Sequence, residues 1–86
     1  MRAAVVQVGV KIAKSVVVNT GAVVDHDCTL NDFCHVGPGA VLCGGVLLEQ
    51  NVYVGANATL FPGVRVGVGT IIGAGAIVKN DVSASS

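Results

Sequence analysis

Two histidines are the only side chains in this 86-residue chain that ordinarily change charge near neutral pH. His26 stands in the run Asp25-His26-Asp27-Cys28, and His35 follows nine residues later. An imidazole beside a carboxylate is a general base in kit form: the carboxylate orients the ring and raises its basicity, and the free nitrogen takes a proton. The other reading of the same residues is a solvated turn histidine between two surface aspartates, and spacing alone leaves both open. Three cysteines, Cys28, Cys34 and Cys43, stand near the histidines. They are an odd number without a CxxC pair, which fits reduced thiols and a cytoplasmic location better than a disulfide framework.

What positions these residues is a repeat of six. Cut from Ala3, the chain reads AAVVQV, GVKIAK, SVVVNT, GAVVDH, DCTLND, FCHVGP, GAVLCG, GVLLEQ, NVYVGA, NATLFP, GVRVGV, GTIIGA, GAIVKN, DVSASS. The fourth place is aliphatic without a break from Val6 to Val78, and the second is always Ala, Val, Cys or Thr. The first is mostly Gly, Asn, Asp or Ser. A helix would rotate a six-residue stripe around its axis, whereas a short strand keeps the second and fourth places on one side. One small and one large residue per block fill a narrow interior, and Gly, Asn and Asp at the junctions suit turns. Three blocks close a triangular coil of 18 residues. The expected fold is therefore all-β, a parallel β-helix of between four and five coils, forming one domain over residues 1–86 with no inserted loop.

The register sorts the outside of this prism. Place three gives a first face of Val5, Val23, Val41, Thr59 and Ile77, apolar along its length. The second face carries Lys11, Thr29, Leu47, Arg65 and Ser83 and is solvated. The third carries Val17, His35, Tyr53 and Ile71, half of it apolar. Long apolar stripes on a surface mark contacts with partners. First and third faces are thus expected to pack against other subunits, closing a homotrimer. The corner between third and first faces holds Thr20, Pro38, Ala56 and Ala74, all small and uncharged, which permits close approach by a ligand or a subunit. The corner between first and second faces holds Val8, His26, Gly44, Pro62 and Asn80. Cys28 and Cys34 fall at inward places and read as core filling. Cys43 falls at a turn near His26, where lining the site and acting as a nucleophile or metal ligand are the two readings. Tyr53 sits one coil above His35, in a packing or interface role, and Phe33 and Phe61 suit corner or interface packing.

Composition narrows the partners. The formal net charge is zero and no Lys/Arg cluster exists, so nucleic acid is not expected. The longest stretch without a charged or strongly polar residue, Val36 to Leu48, is too short to span a bilayer and is broken by glycines and a proline, so no membrane helix is expected. No secretory signal is visible, since Gln7, Lys11 and Lys14 interrupt the apolar N-terminal residues.

Three segments carry a family resemblance: Asn19-Thr-Gly-Ala-Val-Val-Asp-His-Asp-Cys, Phe33-Cys-His-Val-Gly-Pro-Gly-Ala and Leu42-Cys-Gly-Gly-Val. Val54-Gly-Ala-Asn-Ala-Thr, Phe61-Pro-Gly-Val and Ile72-Gly-Ala-Gly-Ala-Ile-Val extend it. From about Ser15 onward the chain resembles the coil domain of the hexapeptide-repeat acyltransferases that acetylate sugars in sialic-acid and bacillosamine synthesis. The coil repeats alone are shared widely; the His-acid-Cys turn with a second histidine nine residues on is the more specific match.

The resemblance implies a left-handed β-helix and transfer of acetyl from acetyl-CoA to an amine or hydroxyl of a small sugar-type acceptor. It implies His26 as catalytic base and Asp27 as the acid that tunes it, where a glutamate also occurs in the family. It implies His35, Ala56 and Ala74 as contacts of acetyl-CoA, the two alanines lying on the small-residue corner already identified. Because base and cofactor then occupy different corners, the site would lie between subunits. No metal is expected: a zinc site like that of the γ-carbonic anhydrases needs three histidines, and the chain has two. The family also carries a nucleotide-sugar-binding domain before the coils and a Gly-Val-Pro-Ala-Lys-like tail after them, and neither is in this sequence. A trimeric solenoid that keeps the assembly without turnover, serving as a structural module, is the alternative. Binding of acetyl-CoA separates the two.

Overall fold

The computed structural model describes residues 4–84. Ala3 at the start of the repeat and Ser85 and Ser86 at its end lie outside the described residues. Thirteen two-residue strands follow one another: β1 Val5–Val6, β2 Lys11–Ile12, β3 Val17–Val18, β4 Val23–Val24, β5 Thr29–Leu30, β6 His35–Val36, β7 Val41–Leu42, β8 Leu47–Leu48, β9 Tyr53–Val54, β10 Thr59–Leu60, β11 Arg65–Val66, β12 Ile71–Ile72 and β13 Ile77–Val78. Each strand holds places three and four of a block. One residue of the pair points out and the other in.

Every strand pairs in parallel with the strand three along, so Val5 meets Val23, Val23 meets Val41, and His35 meets Tyr53. Three sheets result, ordered β1-β4-β7-β10-β13, β2-β5-β8-β11 and β3-β6-β9-β12. These are the three faces expected from the repeat, and the solenoid makes about four turns. Val82 adds a parallel bridge to Val66 beyond the last strand.

The turns explain the period. From Gly9 to Gly75, the residue at place one of each block has positive φ. Seven are glycines; the others are Ser15, Asp27, Phe33, Asn51 and Asn57. A left-handed residue bends the chain sharply, and Gly, Asn and Asp tolerate it best. Phe33, at φ 63° and half exposed, is the outlier in chemistry. Coils are tied by amides reaching to the carbonyls of the next coil, such as Val23 N to Ala40 O and Asp25 N to Leu42 O, at 2.8 and 2.9 Å.

Inside, Val24, Leu30, Val36, Leu42, Leu48, Val54, Leu60 and Val66 form a fully buried column, with Ala22, Cys28, Cys34, Ala40, Val46, Val52 and Ala58 filling the space beside it. Polar groups admitted to the second place are satisfied: Thr70 Oγ1 donates to Ser83 O at 3.0 Å, and the Cys28 and Cys34 thiols donate to Cys43 O and Glu49 O. The column fails at its N-terminal end. Val6 and Ile12 occupy inward places yet are each 46% exposed. A solenoid residue is buried by the coils on either side of it, and among the described residues the first coil has a neighbour on one side only.

The in/out alternation gives a sharp test. Leu48→Ala removes a buried side chain and is expected to cost about 2–5 kcal/mol in urea unfolding. Leu47→Ala, one residue earlier on the outer surface, should cost less than about 1 kcal/mol. Equal losses would contradict the register.

Candidate functional site

His26 lies in the turn that carries the chain from β4 to β5, on the corner between first and second faces. Its backbone is held on both sides. The amide donates to Asp25 Oδ1 at 2.7 Å, and the carbonyl accepts from Gly45 N at 3.0 Å on the next coil. Asp27 follows in the left-handed conformation, at φ 59°, with its amide donating to Val8 O. That turn brings Asp27 Oδ2 to 3.2 Å from His26 Nδ1.

Both side chains of the pair are exposed, His26 by 60% and Asp27 by 73%. An exposed contact of this kind contributes little to stability. Its effect here is on the ring: with the Nδ1 proton donated to the carboxylate, Nε2 holds the free lone pair. This is the arrangement a general base requires.

His35 opens β6 on the third face and is half-buried. Its ring stacks on Tyr53 of the neighbouring coil, with centroids 4.8 Å apart and planes 9° from parallel. Asn19 Nδ2 lies 2.9 Å from His35 Nε2, so an amide donating there leaves the ring proton on Nδ1. Ala56 and Ala74 sit in the turns after β9 and β12, on the small-residue corner. The coils close tightly at this edge: a Cβ on Gly37 would come within 2.8 Å of Ala56 N, and one on Gly55 within 2.5 Å of Ala74 N. The amides of Ala56 and Ala74 donate to no protein acceptor among the described residues. The place-six amides of Val8, Lys14, Asp32, Gly44 and Gln50 on the other corners are the same in this respect, so what distinguishes this edge is its small side chains, which permit close approach.

Within one chain, the structure brings His26 and Asp27 together, and separately His35, Tyr53 and Asn19. The His26 corner and the Ala56/Ala74 corner lie on opposite edges of the first face. Two contacts were missed by sequence reasoning. Asn19 reaches His35 diagonally across coils, from place five to place three; the register held that signal, since Val17 pairs with His35. Gly44 lies beside the His26 ring, on the same corner eighteen residues on.

A hollow of about 240 Å³ lies elsewhere, lined by Glu49, Arg65, Gly67 and residues 81–84. Arg65 binds Glu49 there at 2.6 Å, which raises the guanidinium pKa, and its backbone amide donates to Asp81 Oδ1 at 2.9 Å. Neither His26 nor His35 lines it. Among the described residues, no three His, Cys, Asp or Glu side chains gather as metal ligands would. No helix among the described residues is long and apolar enough to cross a membrane.

Burial raises the pKa of the Cys28 and Cys34 thiols, against a smaller opposing effect of backbone hydrogen bonds. All three cysteines are free. Cys43 is half-buried, in the turn leading to Gly44.

No family model matches the sequence. Solved structures do. PerB from Caulobacter crescentus, in complex with CoA and GDP-perosamine, is 39% identical with a TM-score of 0.85, over 96% of this chain and 49% of that one. A single-histidine variant of perosamine N-acetyltransferase from the same organism, with the same ligands, is 36% identical with a TM-score of 0.81, over 96% and 48%. The acetyltransferase domain of PglB from Neisseria gonorrhoeae, in complex with acetyl coenzyme A, is 28% identical with a TM-score of 0.76, over 91% and 48%. The chain thus spans about half the length of each of these three proteins. It is a hexapeptide-repeat β-solenoid whose structural neighbours include hexapeptide-repeat sugar acetyltransferases and a serine acetyltransferase from Neisseria gonorrhoeae.

Thiol chemistry checks the inward and outward assignments. Alkylation of the folded protein should label Cys43 and spare Cys28 and Cys34 until unfolding. The two buried thiols should also give stability a pH dependence. Their folded pKa is raised, so the unfolded chain ionises first. Stability is then full below the ordinary thiol pKa and declines as pH rises past it toward the raised value. Cys28→Ala with Cys34→Ala should flatten that alkaline decline in urea titrations. An unchanged slope would show that the thiols do not cause it.

Proposed function

We propose that this hexapeptide-repeat solenoid is the catalytic core of an acetyl-CoA-dependent acetyltransferase acting on an amine or hydroxyl of a sugar-type acceptor. The observation that carries the reading is the His26–Asp27 pair, with Nδ1 and Oδ2 3.2 Å apart, on a solenoid 39% identical to a protein solved with CoA and a nucleotide sugar.

The residues support a direct transfer. The acceptor nitrogen or oxygen attacks the thioester carbonyl of acetyl-CoA, and His26 Nε2 takes the proton released as the new bond forms. Asp27 holds the Nδ1 proton and stabilises the imidazolium. The tetrahedral intermediate collapses with cleavage of the carbon–sulfur bond, and the CoA sulfur leaves with the proton returned by His26. His35 and the backbone at Ala56 and Ala74 hold the cofactor along the small-residue corner.

Assembly completes the site. His26 and the Ala56/Ala74 corner flank opposite edges of one sheet, so a base from one protomer meets cofactor on the next. The outer apolar residues fit such packing: Val5 and Val17 are 46% and 47% exposed, Tyr53 45%, Ile71 69% and Ile77 64%. Burying these stripes against neighbours in a homotrimer removes them from water. The free thiols fit a reducing cytoplasmic setting.

Calorimetric titration with acetyl-CoA is expected to give saturable heat that His35→Ala weakens. Absence of heat with the parent protein would overturn the reading in favour of a solenoid serving assembly alone. Over a panel of amino sugars, His26→Ala should lower kcat by roughly 10²–10⁴-fold, the usual worth of a general base, while acetyl-CoA affinity stays unchanged. In light scattering, Val41→Asp should convert trimer to monomer; a trimer that survives it would refute the packing of the first face.

A further inference from the structure

The His26 ring lies against the backbone of the next coil. A methyl group built on Gly44 would stand 2.7 Å from His26 Cε1, 2.8 Å from Nε2 and 3.3 Å from Nδ1. Carbon atoms do not approach one another at the first of these distances, so ring and methyl exclude each other. The three nearest obstacles to that methyl all belong to His26. Gly44 is not among the residues of positive φ, unlike Gly45 at φ 75°. Its backbone therefore accepts alanine, and the imidazole is what objects.

We infer that Gly44 is a positioning residue for His26: the missing side chain is the space that keeps the imidazole in its corner with Nδ1 on Asp27. The backbone of His26 is already fixed through Asp25 and Gly45 N. The freedom left is rotation of the side chain, bounded by Asp27 on one edge and Gly44 on the other. A methyl at Gly44 would turn the ring away, break the 3.2 Å contact with Asp27 and move Nε2. The catalytic consequence rests on the acetyl-transfer reading above; the placement of the ring does not.

The test uses Gly44→Ala in the whole chain. Proton–nitrogen correlation spectra of the histidine rings are expected to shift for His26 and not for His35. Gly73→Ala, where a methyl meets nothing within 4 Å, should shift neither ring. In turnover, Gly44→Ala should lower kcat at least tenfold with KM for acetyl-CoA unchanged. In a His26→Ala background the same change should cost nothing more, because no ring remains to displace. Should Gly44→Ala fail to fold, the double variant should fold. Unshifted His26 resonances, or equal losses in both backgrounds, would overturn the inference. A parent protein without any turnover would overturn the acetyl-transfer reading instead, and the ring resonances would then decide the role of Gly44.

Discussion

Everything in this molecule depends on one backbone event, a left-handed residue at every sixth position. It turns the chain by a corner after each two-residue strand, and three such corners close a coil. The next coil is then obliged to lie in register, because its amides find carbonyls only there. Inward places stack on inward places and form a column of Val and Leu. The identity of the turning residue is secondary, since Ser, Asp, Phe and Asn all serve besides glycine. What matters is that from Gly9 to Gly75 the bend never misses its place.

The site grows out of that same bend. Asp27 is both the turning residue and the partner of His26, so the geometry that makes the corner also aims the carboxylate at the ring. Asp is among the few side chains that combine tolerance of positive φ with a hydrogen-bond acceptor. The next coil supplies the surface on which the ring rests. A solenoid corner is rigid because it is hydrogen-bonded to neighbours on both sides, and a side chain on it is held without a dedicated pocket. That rigidity is a sound basis for catalysis by positioning.

Most of the fold was legible in the sequence because the signal is one-dimensional. Fixing place four fixed all other places, and the pairing of Val5 with Val23 or His35 with Tyr53 followed by adding eighteen. What escaped depends on things a register does not encode. Val6 and Ile12 obey the pattern but, among the described residues, have a neighbouring coil on one side only. The Asn19–His35 contact runs diagonally, outside the column-by-column reading. The nearness of Gly44 to the His26 ring depends on which way a side chain rotates, and the sequence holds only the fact that both share a corner. The proposed sharing of a site between protomers was already an expectation of the sequence, and it rests on the apolar faces and on the separation of His26 from the Ala56/Ala74 edge.

That sharing is the central claim, and complementation tests it most directly. His26→Ala removes the base and leaves the Ala56/Ala74 corner intact, while Ala74→Trp obstructs that corner and leaves the base. Each variant alone should be inactive in acetyl transfer. Unfolded together and refolded as mixed trimers, they should regain activity, because some interfaces then join an intact base to an intact corner. Mixed trimers that stay inactive, formed from variants that each assemble normally, would contradict the account.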